Sequence, residues 1–594
     1  MLTCQCLQKN VNVSIFAKMK VMEQIRQIPY GVSDFRAVRE QNLYYVDKSM
    51  YLEKLENQSR TLFFIRPRRF GKSLFLNMMR LYYDKAAAGD FDSLFGDLYI
   101  GQHPTPLRSH YQVLYMDFSR VTGNIDELPR KFNSYCCGRL DDFIDTYRDD
   151  YPEDGVKKVL ESKDFVEKIN FVNNMAMKYR IPLYLFIDEY DNFTNVVLNE
   201  HGEEIYHQMT HASGFYREVF KLFKGMFERI FITGVSPVTL DDLTSGFNIG
   251  WNASTQPELD KMLGFSTADV RTMFEYYKSV GMLPAGCDVE AMIEDMRPWY
   301  DNYCFAKECL GDGNTVFNCD MVLYYLRHYV NLGHAPEEML DNNTRTDYSK
   351  LKKLIQLDSL DGNRKGVLMK VIEEGQIVAD LRTSFSAMDM TDPEVFPSLL
   401  FYYGMLTITG TRGSRLILGI PNNNVRKQYY SYLLENYEQA GVNISNLRDA
   451  FDAMAFDGQW REALQYMADC YKNQSSVRDS IEGERNIQGF FLAYLNLNDY
   501  YLTAPEVEVQ HGYCDFFLLP NLTHYKSEHS YILEVKYLPK KDFEARSEAQ
   551  WAEAVEQIKG YAAAPRVEML RQGTRLHRIV MQFCGWELAR MEEV

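Results

Sequence analysis

The stretch that most constrains the fold of this chain is Leu62-Phe63-Phe64-Ile65, then Arg66-Pro67-Arg68-Arg69-Phe70-Gly71-Lys72-Ser73, then Leu74-Phe75-Leu76-Asn77-Met78-Met79. A short apolar run, a basic loop and a helical run with Gly-Lys-Ser at its start read as strand, loop and helix. Backbone N–H groups at such a loop and helix start face anions, which suits a nucleotide triphosphate. Lys72 can reach the β- and γ-phosphates, and the Ser73 hydroxyl can ligate Mg²⁺. Arg68, Arg69, Phe70, Gly71, Lys72 and Ser73 are therefore the expected nucleotide contacts. Arg66 stands where the usual G-x-x-x-x-G-K-[ST] pattern has its first glycine, a position that benefits from free rotation to positive φ. Taken alone, the tripeptide also fits a basic loop ahead of an amphipathic helix.

A second element narrows the choice. Leu183-Tyr184-Leu185-Phe186-Ile187-Asp188-Glu189 is a continuous apolar run of strand length ending in two acids. Such a run reads as a strand buried on both faces, as in a parallel sheet. Asp188 at its carboxyl end would hold Mg²⁺ through water, and Glu189 would polarise the attacking water, with Asp191 the next candidate for that role. A core strand followed by a solvated turn is the plainer alternative for this run by itself. The two elements in this order favour ATP with Mg²⁺.

Pro29-Tyr30-Gly31, Tyr45-Val46-Asp47-Lys48-Ser49, the 66–73 loop, Phe186-Ile187-Asp188-Glu189-Tyr190-Asp191 and Phe231-Ile232-Thr233-Gly234-Val235-Ser236-Pro237 together resemble the AAA-ATPase-like family. That family is common in gut Bacteroidetes and often ends in a PD-(D/E)XK nuclease domain. Within the resemblance Arg66 is expected, since the family carries Arg-Pro-Arg-Arg-Phe-Gly-Lys-Ser. The resemblance implies that Thr233, or a neighbour after that strand, senses the γ-phosphate. It also implies that Trp299-Tyr300-Asp301-Asn302-Tyr303-Cys304-Phe305 and Val316-Phe317-Asn318 belong to a helical lid, where Trp299 and Tyr300 read as aromatic core rather than catalytic groups.

A length of 594 residues calls for several domains, and 46% apolar with 25% charged residues is ordinary globular composition. The 11 cysteines are scattered without disulfide or zinc spacing, which reads as reduced, cytoplasmic thiols. No apolar run has membrane-spanning length, and residues 1–20 lack the apolar core of a signal peptide. Residues 1–28 are expected to be an extension, disordered at its start, with Met19 or Met22 as alternative starts. A net charge of −17 argues against a broadly basic nucleic-acid binder without excluding a local basic channel.

Residues 29–255 alternate strands (61–65, 112–118, 183–187, 229–233) with helices (133–147 and 215–227 among them), which predicts a P-loop, AAA-like α/β core with a parallel sheet. A helical lid is expected over 256–345. In 346–440 a helix over 394–406 precedes two β-prone runs flanking Gly410-Thr411-Arg412-Gly413, a hairpin signal. Helices followed by such a hairpin predict a winged-helix-like module. With few basic residues to neutralise phosphates, packing between domains is favoured over DNA contact. A helical spacer is expected over 441–475.

Residues 476–594 carry a second constellation. Tyr531-Ile532-Leu533-Glu534-Val535-Lys536-Tyr537 alternates, so Glu534 and Lys536 share one strand face. Gly512-Tyr513-Cys514-Asp515-Phe516-Phe517-Leu518-Leu519 reads as an earlier strand, and a hairpin would bring Asp515 to Glu534. Two carboxylates suit Mg²⁺, and Lys536 beside them could orient a metal-bound water at a phosphodiester. Glu-x-Lys on an exposed strand face is also a common solvated pair. Gln557-Ile558-Lys559-Gly560-Tyr561 resembles the Gln-x-x-x-Tyr element of PD-(D/E)XK nucleases. Glu484 opens a helix that resembles the one carrying their first acid, with Gln488 where the family often shows His. The resemblance implies a PD-(D/E)XK α/β domain with Glu484, Asp515, Glu534, Lys536 and Gln557 as its catalytic set.

Two functions follow. One is an ATPase whose nucleotide state regulates a Mg²⁺-dependent nuclease acting on nucleic acid, DNA favoured over RNA, in a mobile-element or phage-defence setting. The other is a nucleotide-switched interaction protein with a catalytically silent nuclease-like domain. No membrane partner is expected, and assembly into a homo-oligomer stays open.

Overall fold

The computed structural model describes residues 25–122, 127–192, 215–237, 250–311, 313–341, 364–386, 389, 392–437, 441–473, 483–509, 512–522 and 524–594. The start of the expected 1–28 extension, part of the 346–440 segment and the first residues of 476–594 lie outside them. The chain divides into two compact units. One comprises residues 1–367 and 377–421, the other 368–376 and 422–594.

The first unit is built on β1 (Thr61–Ile65), β2 (Gln112–Asp117), β3 (Leu183–Asp188), β4 (Arg229–Gly234) and β5 (Trp251–Asn252). They form one sheet in the order β2-β3-β4-β1-β5, and every pair in it is parallel. All residues of β1 and β3 are buried, which accounts for their unbroken apolar sequences: a parallel sheet is covered on both faces. The four longer strands stand within a residue of the expected positions. β4 lies between β1 and β3, so the loop after β1 and the acids after β3 flank the end of β4.

Helix α1 (Lys72–Tyr83) follows β1. α2 (Leu128–Thr146) and α3 (Phe165–Tyr179) lie between β2 and β3. Beyond β5 come the two-residue pair β6 (Phe265–Ser266) and β7 (Val316–Phe317), and the helices α4 (Thr267–Ser279), α5 (Val289–Tyr300) and α6 (Cys319–Leu332). α4 starts on a capping box, Ser266 with Asp269, and α6 starts on Asn318, whose side chain accepts from Met321 N–H. Trp299 and Tyr300 are buried, as the aromatic-core reading expects.

A three-stranded sheet in the order β8-β10-β9 follows, made by β8 (Gln376–Ala379), β9 (Thr407–Arg412) and β10 (Arg415–Gly419). The hairpin is present, but its turn is shorter than expected. β9 runs through Gly410 to Arg412, Arg412 pairs with Arg415, and Gly413 at φ +65° makes the turn with Ser414. The helix ahead of it spans Phe396–Tyr402 rather than 394–406, entered through Pro397 in its first turn. Thr407 joins this hairpin to the first unit by hydrogen bonds with the Cys304 backbone. The boundary between compact units thus falls between Pro421 and Asn422, inside the 346–440 segment.

The second unit holds α7 (Ile444–Asp457), α8 (Trp460–Asn473) and α9 (Glu484–Leu495). They precede a five-stranded sheet of β11 (Tyr501–Val509), β12 (Gly512–Pro520), β13 (His529–Leu538), β14 (Arg575–Cys584) and β15 (Glu587–Glu593), ordered as numbered. Only β13 and β14 pair in parallel, and α10 (Lys540–Ala562) makes their crossover. Trp551, Ala554, Ile558 and Tyr561 of α10 pack on Phe517, Ile532 and Val580. A part-buried polar chain ties the far end of this sheet to α8: Trp460 Nε1 donates to Glu593, Glu593 pairs with His577 Nδ1 at 2.8 Å, and His577 Nε2 meets His529 Nδ1 at 2.9 Å.

Arg66 explains how the phosphate loop dispenses with its first glycine. Its side chain is buried, and the guanidinium donates to the carbonyls of Ile65 (3.1 Å), Ser254 (2.5 Å), Leu259 (3.4 Å) and Asp260 (3.5 Å). It lies over the rings of Phe64 and Phe305, 4.4 and 4.1 Å from their centroids. Burial pulls its pKa down to about 10, opposed by the Asp260 carboxylate, so it stays charged at neutral pH. Removing one partner of such a buried charged cluster strands the rest. Arg66→Ala is expected to cost about 3–5 kcal/mol of unfolding free energy. Urea denaturation of variant and parent measures this.

Candidate active sites

The first site lies at the carboxyl ends of β1 to β4. Gly71 caps α1 at φ +87°, a conformation that glycine adopts without strain, and no side chain caps this helix start. The first N–H groups of α1 are therefore left for a ligand, and the helix dipole makes that ligand an anion. Lys72 is buried, and its Nζ donates to the carbonyls of Arg66 and Pro67, both at 2.9 Å. Burial lowers its pKa, against the charges of Glu189, Asp188 and Asp191. Asp188 accepts a hydrogen bond from the Ser73 side chain and is pushed up to about 6, chiefly by burial. Glu189 sits at φ +51°, a left-handed conformation rare outside glycine, and its N–H donates to Asp188 Oδ1 at 3.0 Å.

These groups line one cavity of about 870 Å³. Arg68, Arg69, Phe70, Gly71, Lys72, Ser73, Asp188 and Glu189 all face it. Its volume is that of a cofactor-sized pocket. Besides the phosphate loop and the acids, Pro29, Val32, Tyr44, Tyr45, Met262, Leu263 and Met273 line it with an apolar, partly aromatic set of side chains. Arg69, also left-handed at φ +67°, pairs with Asp320 at the start of α6 and lies 3.6 Å from Asp341.

Two sequence-based roles change on contact with the structure. Thr233 is buried within β4, its hydroxyl donates to Phe64 O at 2.8 Å, and it is absent from the cavity wall. β4 is an interior strand, so this side chain is spent on its neighbour β1. Asp191, the reserve water-activating acid, is fully buried and accepts from the N–H groups of Val235 (3.2 Å) and Ser236 (2.9 Å). It clamps the turn after β4. Gly234 allows this approach, because a Cβ there would come 2.4 Å from Asp191 Oδ1. Residues that sequence reasoning did not single out also line the cavity: Asp117, paired in register with Asp188 at the end of β2, then Arg120 and Asn192. The acid ending an apolar strand was the available signal for Asp117.

The second site lies on β12 and β13. The ladder pairs Phe516 with Leu533 and Phe517 with Ile532, so Asp515 meets Glu534 at its next step. Asp515 Oδ2 accepts from Val535 N–H at 2.6 Å, and Oδ1 accepts from Gln488 Nε2 at 2.9 Å. Glu534 is buried, and its Oε1 pairs with Lys536 Nζ at 2.6 Å. Glu534 Oε2 is buried and has no hydrogen-bond partner. Glu484, at the start of α9, accepts from the Tyr537 backbone and feels Lys536. Burial, then repulsion from Glu534, raises the pKa of Asp515; burial raises that of Glu534 against the opposing charge of Lys536, and burial raises that of Glu484. Desolvation works against the Lys536 ammonium but is outweighed by Glu534, so its pKa rises.

Gln557 lies on α10. Its Nε2 reaches Glu553 at 3.4 Å and its Oε1 is buried without a partner. Tyr561, one turn later on α10, is the residue whose phenol feels Glu534, Lys536 and Asp515, although burial is the main cause of its raised pKa. Among the described residues no group of three or more His, Cys, Asp or Glu side chains forms a metal cage. Asp515 and Glu534, with one Glu534 oxygen unpartnered, fit a cation that keeps several water or substrate oxygens, as Mg²⁺ does. No helix among the described residues is long and apolar enough to cross a membrane.

Comparison with known proteins assigns both regions. Residues 29–244 match the family described as Predicted AAA-ATPase. Residues 482–593 match the PD-(D/E)XK nuclease superfamily. The uncharacterized protein in vnfD 5'region of Azotobacter chroococcum mcd 1 is 44% identical over 55 residues, which are 9% of this chain and 11% of that relative. The chain thus spans about a tenth of that protein's length.

The cavity wall separates Lys72 from Thr233 as nucleotide contacts. Lys72→Ala should weaken binding of an ATP analogue at least about tenfold, the low end for loss of a charge-assisted hydrogen bond. Thr233→Val should leave affinity within about twofold, as expected of an uncoupled position. Isothermal titration calorimetry on both variants tests the contrast.

Proposed function

Because the chain carries a predicted AAA-ATPase domain followed by a domain of the PD-(D/E)XK nuclease superfamily, we propose that it binds and hydrolyses ATP and cleaves nucleic acid, with nucleotide state regulating the cut. The observation that carries the nuclease half is the buried Glu534 oxygen without a partner, beside Asp515 and within reach of Lys536. Buried charges without compensation are costly, and a divalent cation compensates two carboxylates at once.

In the first site, Lys72 and the N–H groups of α1 hold the triphosphate, with Arg68 and Arg69 on the same wall. Ser73 and Asp188 would hold Mg²⁺, which would offset the charge of the phosphates. Glu189 orients the attacking water and accepts its proton, a role that its exposed face on the cavity supports. The apolar side chains of the cavity receive the base.

In the second site, Asp515 and Glu534 would hold the cation, which would activate the attacking water and offset charge on the phosphodiester. Lys536, freed from Glu534, orients the water and steadies the scissile phosphate. Glu484 keeps Lys536 protonated and in place through its charge. Gln557 is assigned no part in these steps. DNA is the substrate we favour over RNA. The net charge of −17 places the burden of phosphate binding on local cations rather than on the whole surface.

Purified full-length protein is expected to cut plasmid DNA with Mg²⁺ or Mn²⁺, and Asp515→Asn or Lys536→Ala to abolish cutting; Asp515→Asn should leave thermal unfolding within a few degrees, whereas Lys536→Ala also strands the buried Glu534 carboxylate and should lower it. Cleavage of neither DNA nor RNA under either metal would leave the nucleotide-switched interaction protein as the reading. The regulatory half is tested by titrating DNA onto Glu534→Gln with and without a non-hydrolysable ATP analogue. Coupling of about 1–3 kcal/mol appears as a 5- to 150-fold change in affinity, mirrored in the effect of DNA on nucleotide binding. Equal affinities would remove gating at the binding step.

A further inference from the structure

Asp515 owes its orientation to two donors from different elements. Val535 N–H comes from the neighbouring strand and fixes Oδ2 at 2.6 Å. Gln488 Nε2 comes from α9 and fixes Oδ1 at 2.9 Å. Without the second, the carboxylate can turn about its Cβ–Cγ bond while keeping the first, since that torsion is broad and soft. Gln488 lies one helical turn beyond Glu484, so α9 presents one residue toward Asp515 and another toward Lys536 from the same side. An ionised carboxylate only accepts, so the amide must offer its NH₂ and not its oxygen to Asp515.

We propose that Gln488 is the positioning residue for Asp515: its amide sets the plane of that carboxylate so that the remaining lone pairs converge with the unpartnered Glu534 oxygen on one cation. This rests on the nuclease reading above. Gln488 itself takes no proton and touches no substrate. Carboxylates that hold a metal are themselves held by hydrogen bonds, and losing such a bond costs about 10–100-fold in metal affinity or activity.

Three variants separate positioning from packing. Gln488→Met keeps the length of the side chain and loses the donor. Gln488→Ala loses both. Gln488→His restores a ring N–H that can reach the same oxygen. Mn²⁺ binding to the full chain is measured by calorimetry, and the heat missing in Glu534→Gln defines the second site. Gln488→Met and Gln488→Ala are expected to weaken that site about 10–100-fold with unchanged unfolding temperature, and Gln488→His to recover most of it. In cleavage assays the same two variants should lose kcat at limiting Mn²⁺ with DNA KM unchanged, and raising Mn²⁺ should restore part of the rate. Parental Mn²⁺ affinity in Gln488→Met overturns the inference and leaves the nuclease reading standing. Absence of the Mn²⁺ heat and of cleavage in the parent protein overturns both.

Discussion

The guanidinium of Arg66 is the contact on which the first site depends. It terminates β1, and from there it holds four carbonyls and two aromatic faces at once. Ser254, Leu259 and Asp260 belong to the segment just beyond β5, so one side chain ties the start of the phosphate loop to the start of the helical region. A glycine at this position would supply rotation but no anchor. The rotation is found elsewhere instead, in Arg69 and Gly71, both with positive φ. The loop therefore has a fixed root and a tightly wound tip, and the N–H groups at the head of α1 follow from the second.

The same economy appears after β4. Asp191 and Tyr190 follow the two acids of β3, yet they turn inward to bind Val235 and Ser236 rather than outward to the cavity. The loop carrying Asp188 and Glu189 is thereby locked to the neighbouring strand. Glu189 keeps its left-handed backbone because its neighbours on both sides are held. A rigid, slightly strained backbone at this position is compatible with a group that must meet a water in one place.

Much of this was legible in the sequence, and the exceptions have physical causes. The parallel strands were visible because burial on both faces leaves unbroken apolar runs such as Leu183 to Ile187. The pairing of Asp515 with Glu534 followed from period-two alternation and one short connection. Thr233 was not legible, since a Thr in an interior strand can bond its neighbouring strand or face a ligand, and sequence carries no sign of which. Asp191, the next candidate after Glu189, was open for the same reason: an acid in a turn after a strand can cap backbone as readily as it can activate water. The hairpin turn shifted because Gly410, read as loop, fits equally inside a strand opposite Ile417. Gln488 was noticed only as a departure from His. Its partner, Asp515, lies 27 residues away on another element, beyond any local pattern.

Both sites share one electrostatic design. In each a single lysine stands among acids, Lys72 with Asp188, Glu189 and Asp191, and Lys536 with Glu484, Asp515 and Glu534, and burial raises the pKa values of Asp188, Asp191, Glu484, Asp515 and Glu534. In each case the lysine is engaged with groups of its own chain, two carbonyls in the first site and a carboxylate in the second. The consequences differ. Lys72 leaves neutral carbonyls when it turns to an anion, so a phosphate gains its full charge and little is lost. Lys536 must leave Glu534, whose buried charge would then stand uncompensated. On the proposed function, Glu534 would be compensated by the bound cation instead, and Lys536 could leave it without that penalty. On that reading the lysine of the second site would become available to a phosphate only once a positive charge stood in its place beside Glu534, and the buried ion pair would then set the order of binding.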